Sequence, residues 1–104
     1  MNFKELKELN LFKNKISDIS VLEKVKFEKL EKLYLETNAI SNINILDNVK
    51  FKELKELYLD SNNISDIKVL KNVKFEKLEK LNLSRNEIKD KSIISKLNIK
   101  NIKL

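Results

Sequence analysis

The chain has 104 residues and a formal net charge of +6, with 22 Lys and Arg against 16 Asp and Glu, and contains no Cys, His, Gly or Pro. These absences exclude disulfides and thiolate chemistry, the usual neutral-pH proton shuttle and commonest zinc ligand, and the glycine-rich loops that cradle phosphates. Turns have to be built from Asn, Asp and Ser, no apolar run is long enough for a membrane-spanning helix, and the start Met1-Asn2-Phe3-Lys4 does not read as a signal peptide, so a cytoplasmic location is expected.

Four blocks follow one another, opening at Phe3, Phe27, Phe51 and Phe75, 24 residues apart, each reading F-x-x-L-x-x-L-x-L-x-x-N-x-I. Three of them continue with x-x-I-x-x-L-x-x-V. A fixed period of this length marks a solenoid, because one such unit cannot bury its apolar face without stacking on its neighbours. The expected organisation is a single domain, 1–104, with repeats 3–26, 27–50, 51–74 and 75–98 and a partial terminal strand over 99–104.

Within the third repeat, Leu57 and Leu59 stand two apart, as alternate residues of a strand do, and the expected strand covers about Lys55 to Asp60. Asn62 follows, Ile64 and Ile67 turn the chain, and Asp66 is placed to cap a short helix carrying Val69, Leu70 and Val73. A constant period returns each strand to the same place, so the strands should run parallel with the helices on the opposite face. Phe3, Phe27, Phe51 and Phe75 share one stacked position and should form an interior spine.

The pattern L-x-x-L-x-L-x-x-N-x-I, met at Leu6 to Ile16, Leu30 to Ile40, Leu54 to Ile64 and Leu78 to Ile88, resembles the leucine-rich repeat. The run from Asn14 to Leu22 is further similar to the repeats of internalins and of phosphatase-regulating leucine-rich proteins, with two residues, one a Phe, added before the next block. The resemblance implies an α/β solenoid: a horseshoe segment with a parallel sheet of four to five short strands on the concave face and short helices on the convex face. It implies use as a non-enzymatic scaffold that holds another protein. It also implies that Asn14, Asn38, Asn62 and Asn86 form an inward ladder whose amides satisfy backbone groups of neighbouring turns.

The block starts read FKELKEL, FEKLEKL, FKELKEL and FEKLEKL, so every charge reverses from one repeat to the next. Stacking then sets Lys7, Glu31, Lys55 and Glu79 in one row and Glu8, Lys32, Glu56 and Lys80 in another, with opposite signs adjacent throughout. The unbalanced positive charge lies elsewhere, in a row of Lys26, Lys50 and Lys74 with Lys24, Lys68 and Lys71 nearby. That row supports an alternative reading, a basic surface for nucleic acid or anionic membrane, though no aromatic residues interleave it for base stacking. Another alternative is a purely structural repeat segment of a larger protein.

On the concave sheet the outward rows should be Asn10, Tyr34, Tyr58 and Asn82, then Phe12, Glu36, Asp60 and Ser84, then Lys13, Thr37, Ser61 and Arg85. Two features break the scaffold logic: Tyr34 and Tyr58 side by side with Phe12 diagonal to Tyr34, and the like-charged neighbours Glu36 and Asp60. Phe12, Tyr34, Glu36, Tyr58 and Asp60 are therefore the candidate partner-binding residues, for a protein presenting a basic or amphipathic segment. An open sheet gives no desolvated pocket to raise one carboxyl of the acidic pair, so catalysis is not expected, nor is a cofactor, a metal or a small-molecule substrate. At the end, Lys91 replaces the Ile67 equivalent, and Ile93, Ile94 and Leu97 support a shortened helix. Ile99, Ile102 and Leu104 mark a fifth strand that sets Lys100 opposite Glu79 and Lys103 on an edge, where Lys discourages further pairing. Both ends lack a polar cap, which fits either a piece of a longer repeat protein or self-association through uncapped ends.

Overall fold

The structure, a computed structural model, describes residues 3–25 and 27–104. Five three-residue strands form one parallel sheet in chain order: β1 (Glu8–Asn10), β2 (Lys32–Tyr34), β3 (Glu56–Tyr58), β4 (Lys80–Asn82) and β5 (Asn101–Lys103). Register joins Leu9, Leu33, Leu57 and Leu81 and then Ile102, so the last repeat is shorter than the others, but its helix is not the shortened one expected, since Ser92–Lys96 is as long as Ser20–Lys24. The central residue of each strand points inward and its neighbours outward; Leu33 and Leu57 are fully buried.

The strands are shorter than the Lys55 to Asp60 reading because the chain turns at once. Lys13, Thr37, Ser61 and Arg85 all lie in the left-handed region at φ 56–57°. They are turn residues and not a third row of strand residues. Backbone bonding nevertheless runs one rung past the strands, with Thr37 N–H donating to Asp60 O at 3.0 Å and Ser61 N–H to Ser84 O at 2.9 Å. The left-handed region presses Cβ towards the following carbonyl oxygen and disfavours non-glycine residues by about 1–2 kcal/mol, most of all when β-branched. Thr37 is exposed, so Thr37→Asn relieves that strain without losing packing, and a gain of about 0.5–1 kcal/mol is expected in urea unfolding.

The convex segments are 3-10 helices, Ser20–Lys24, Asn44–Asn48, Lys68–Lys71 and Ser92–Lys96. The inward residues explain the type, since Ile19 and Leu22, Ile43 and Leu46, and Ile67 and Leu70 are spaced by three and all are buried. A helix of three residues per turn eclipses such positions, whereas an α-helix would rotate them apart. Asp66 accepts the Lys68 N–H at 2.9 Å, and Asp18, Asn42 and Asp90 do the same for Ser20, Asn44 and Ser92. The expected cap is thus an Asx turn made one residue before the cap position, with Ile67 at the cap itself and Val73 beyond the helix end.

Two ladders run through the stack. Phe3, Phe27, Phe51 and Phe75 stack with centroids 6.3, 6.5 and 6.4 Å apart, inside the range of favourable aromatic pairs. Asn38 donates from Nδ2 to Leu35 O, Glu36 O and Leu11 O and accepts from the N–H of Asn14 and Ile16. Asn62 and Asn86 repeat the arrangement one and two turns later, so each ladder amide ties its own strand end to the preceding repeat. Ion pairs join Glu5 to Lys29, Glu31 to Lys55, Lys32 to Glu56 and Glu53 to Lys77, each between adjacent repeats, as the reversing charge order requires. These groups keep solvent contact, so each pair contributes about 0–1 kcal/mol and acts mainly on register.

Candidate functional site

The middle of the concave sheet brings together four of the five candidate residues. Tyr34 and Tyr58 are opposite one another in the β2–β3 register. Their rings lie parallel within 1°, centroids 4.9 Å apart, and both remain partly exposed. One rung further on, Glu36 and Asp60 are neighbours through the backbone bond from Thr37 to Asp60. Phe12 stands apart: it is 50% exposed in the first repeat and, among the described residues, stacks on neither tyrosine.

Glu56, absent from the sequence-derived candidates, belongs to this site. The Tyr58 hydroxyl donates to Glu56 Oε1, and Lys32 Nζ lies 3.8 Å from Glu56 Oε2. The bond to the Glu56 carboxylate, aided by burial, pushes the Tyr58 phenol well above its ordinary range. Residues two apart on a strand share a face, so Glu56 and Tyr58 could have been paired from their spacing alone. The link ties the charge ladder to the aromatic pair and fixes the orientation of the Tyr58 ring.

The acidic neighbours are less open than the sequence implied. One oxygen of each, Glu36 Oε1 and Asp60 Oδ1, is shielded from solvent and has no donor among the described residues. Burial raises the Glu36 carboxyl above its ordinary range; its own backbone N–H opposes the shift and the Asp60 charge adds to it. This corrects the expectation that an open sheet offers no desolvation to raise one carboxyl of the pair. The sign follows directly, because an acid whose folded-state pKa is raised contributes most below its unfolded pKa and loses that contribution as pH rises through the folded value. At neutral pH the Glu36 carboxylate therefore opposes folding. Glu36→Gln is expected to raise stability at pH 7 by less than about 1 kcal/mol, given the solvent that remains around the group. The gain should vanish below the ordinary glutamate range, as parallel urea titrations of variant and wild type at several pH values would show.

The alternative basic row is less coherent in three dimensions. Lys26 lies outside the described residues. Lys50 and Lys74 are exposed and line one surface groove, which also contains Asp47 and Glu76. The edge is consequently of mixed sign. Among the described residues no helix is long and apolar enough to cross a membrane.

Comparison with known proteins agrees with this architecture. The family described as Leucine Rich repeats (2 copies) matches residues 4–48 and 52–101. No curated protein matches the chain. Among solved structures it is similar to an internalin (inlF) from Listeria monocytogenes strain 4b F2365, with 29% identity and a TM-score of 0.65 over 95% of this chain. The chain spans 35% of that internalin's length. With two matched segments that together take in all four ladder asparagines, the chain belongs to the leucine-rich repeat family.

Proposed function

We propose that residues 1–104 act as a single-domain, non-enzymatic scaffold that binds another protein on the concave sheet, in the cytoplasm. The observation that carries this reading is the pair of parallel, partly exposed tyrosines set beside two carboxylates, each with a shielded oxygen that has no donor among the described residues. Such a surface takes a cationic or amphipathic segment: the ring faces attract a cation, and Glu36 and Asp60 supply the opposite charge. The Glu36 carboxylate, whose charge opposes folding, gains its compensation when a partner's Lys or Arg arrives. Phe12, exposed on the same side of the first repeat, extends the surface with a separate apolar contact. The general use of leucine-rich repeats in protein recognition supports the class of function, and no catalytic step is assigned to the acids.

The test is affinity capture from an extract of the source cells, with the wild type and Tyr34→Ala/Tyr58→Ala as baits and mass spectrometry of what each retains. One protein held by the wild type and lost from the folded double variant is expected, with affinity falling roughly thirtyfold per tyrosine if these are interface anchors. Matching retained sets would sink the proposal. Retention that survives loss of both tyrosines but falls steeply with salt would favour the basic row at Lys50 and Lys74.

A further inference from the structure

Tyr58 has a second face. The two tyrosine rings are parallel and 4.9 Å apart, the spacing of adjacent strands, so the stack runs across the sheet and the far side of Tyr58 looks towards β4. In register with Tyr58, β4 carries Asn82, and in register with Asn82, β5 carries Lys103. The short Asn82 side chain is drawn towards Ser84, whose N–H and hydroxyl both donate to its Oδ1, at 3.0 and 2.7 Å. A groove of about 470 Å³ is left on the concave face, with Tyr58 on one side, Lys103 on the other, Asn82 between them, and Lys80 and Asn101 in the adjoining row.

The charged groups of this groove are all positive and unpaired. Among the described residues neither Lys80 nor Lys103 has an ion-pair partner. Lys80 is the register neighbour of Glu56, but the Tyr58 hydroxyl and Lys32 engage the two Glu56 oxygens, and no ion pair closes between Glu56 and Lys80. With Oδ1 taken by Ser84, Asn82 is left with Nδ2, which donates to nothing among the described residues. No Asp or Glu lines the groove, in contrast to the mixed edge at Lys50 and Lys74. The concave face is thus divided, with carboxylates just past β2 and β3 and free cations over β4 and β5.

We infer that this groove is a second subsite of the concave face, taking a carboxylate of the bound partner carried on a flat group that lies against Tyr58. The face of an aromatic ring is its negative side and repels a bare anion, so the flat group covers the ring while its carboxylate reaches Lys80 and Lys103. The inference rests on the proposed binding of a partner's cation and deepens it: the segment carries both signs, its Lys or Arg at Glu36 and Asp60 and its acid over β4. Asp60 stands level with Ser84, four residues past Lys80 and one strand away. Four strand residues and one strand step span about 14 Å, so an extended partner bears the two charges about four residues apart. That charge order admits one direction of the segment across the sheet and rejects the reverse.

The experiment titrates the isotope-labelled chain with benzoate, benzamide and benzylammonium and follows its backbone amide resonances. Benzoate is expected to move Tyr58, Asn82, Asn101 and Lys103, while benzamide, flat but uncharged, moves them little. Lys80→Gln/Lys103→Gln should weaken benzoate roughly tenfold and leave benzylammonium, which addresses Glu36 and Asp60, as it was. Both lysines are exposed, so the variant is expected to fold as the parent does. Equal responses to benzoate and benzamide, benzoate shifts centred on Lys50 and Lys74, or a benzoate affinity untouched in the variant would each overturn the subsite. Benzylammonium shifts at Glu36 and Asp60 without benzoate shifts in the groove would overturn this inference and leave the cation site standing. Benzoate shifts without benzylammonium shifts would remove that cation site, and the segment of both signs with it.

Discussion

Asn62→Ala is expected to remove about 3 kcal/mol or more of folding free energy, whereas Asn14→Ala at the equivalent place in the first repeat should remove less than about 1 kcal/mol. Asn62 is 6% exposed, and its amide donates to Leu35 O, Leu59 O and Asp60 O while its Oδ1 accepts from Ile40 N–H. Truncation leaves these groups buried inside the stack, where each unsatisfied group costs about 1–3 kcal/mol. The Asn14 side chain is exposed and bonds only within its own repeat, so water replaces what it provides. Asn62→Leu separates the possible causes, since it restores volume but no hydrogen bond. It should be about as damaging as the alanine variant, and a near-neutral Asn62→Leu in urea unfolding would show that shape, not bonding, matters there.

Phe51→Ala is expected to lose about 3–5 kcal/mol, against roughly 1 kcal/mol for Phe3→Ala. Phe51 is 2% exposed and lies between Phe27 and Phe75, whereas Phe3 is 39% exposed with one stacking neighbour. The central ring belongs to two repeat interfaces, and in a one-dimensional stack stability is approximately a sum of unit and interface contributions. A hole at Phe51 therefore weakens the joint between both halves, and the unfolding transition should broaden with a lower apparent dependence on urea. Equal losses at Phe3 and Phe51 would mean that the repeats are energetically separate.

The sheet was legible because two periods coincide in the chain. Alternation by two set the inward leucines of each strand, and the recurrence of Phe3, Phe27, Phe51 and Phe75 set their register. β5 was legible from Ile99, Ile102 and Leu104 alone, and its partners Leu81 and Asn82 are those the spacing required. The convex helix type was present but unread, in the strict spacing by three of Ile43, Leu46 and Val49. The left-handed turn was invisible in residue type, because Lys13, Thr37, Ser61 and Arg85 have no shared chemistry and no Gly marks the place. Glu36 and Asp60, each with one oxygen shielded from solvent, stand immediately before two of these turns, at Thr37 and Ser61. At the site, the rows were read correctly as far as Tyr34, Tyr58, Glu36 and Asp60 are neighbours. Phe12 is separate because Asn10, two residues before it, is the residue that pairs with Tyr34, while Phe12 falls in the row of Glu36.

Tyr34 and Tyr58 are the only tyrosines in a chain without Trp. Nearly all of its near-ultraviolet absorption and intrinsic emission therefore originates at one spot on the sheet surface, while the phenylalanine spine contributes weakly. With the rings parallel and 4.9 Å apart, their electronic transitions are coupled, and the environment of Tyr58 is further altered by the Glu56 carboxylate. Near-ultraviolet circular dichroism of the folded chain thus reports the face proposed to bind and little of the interior. A partner seated there would announce itself without any label, in a molecule that is optically almost silent everywhere else.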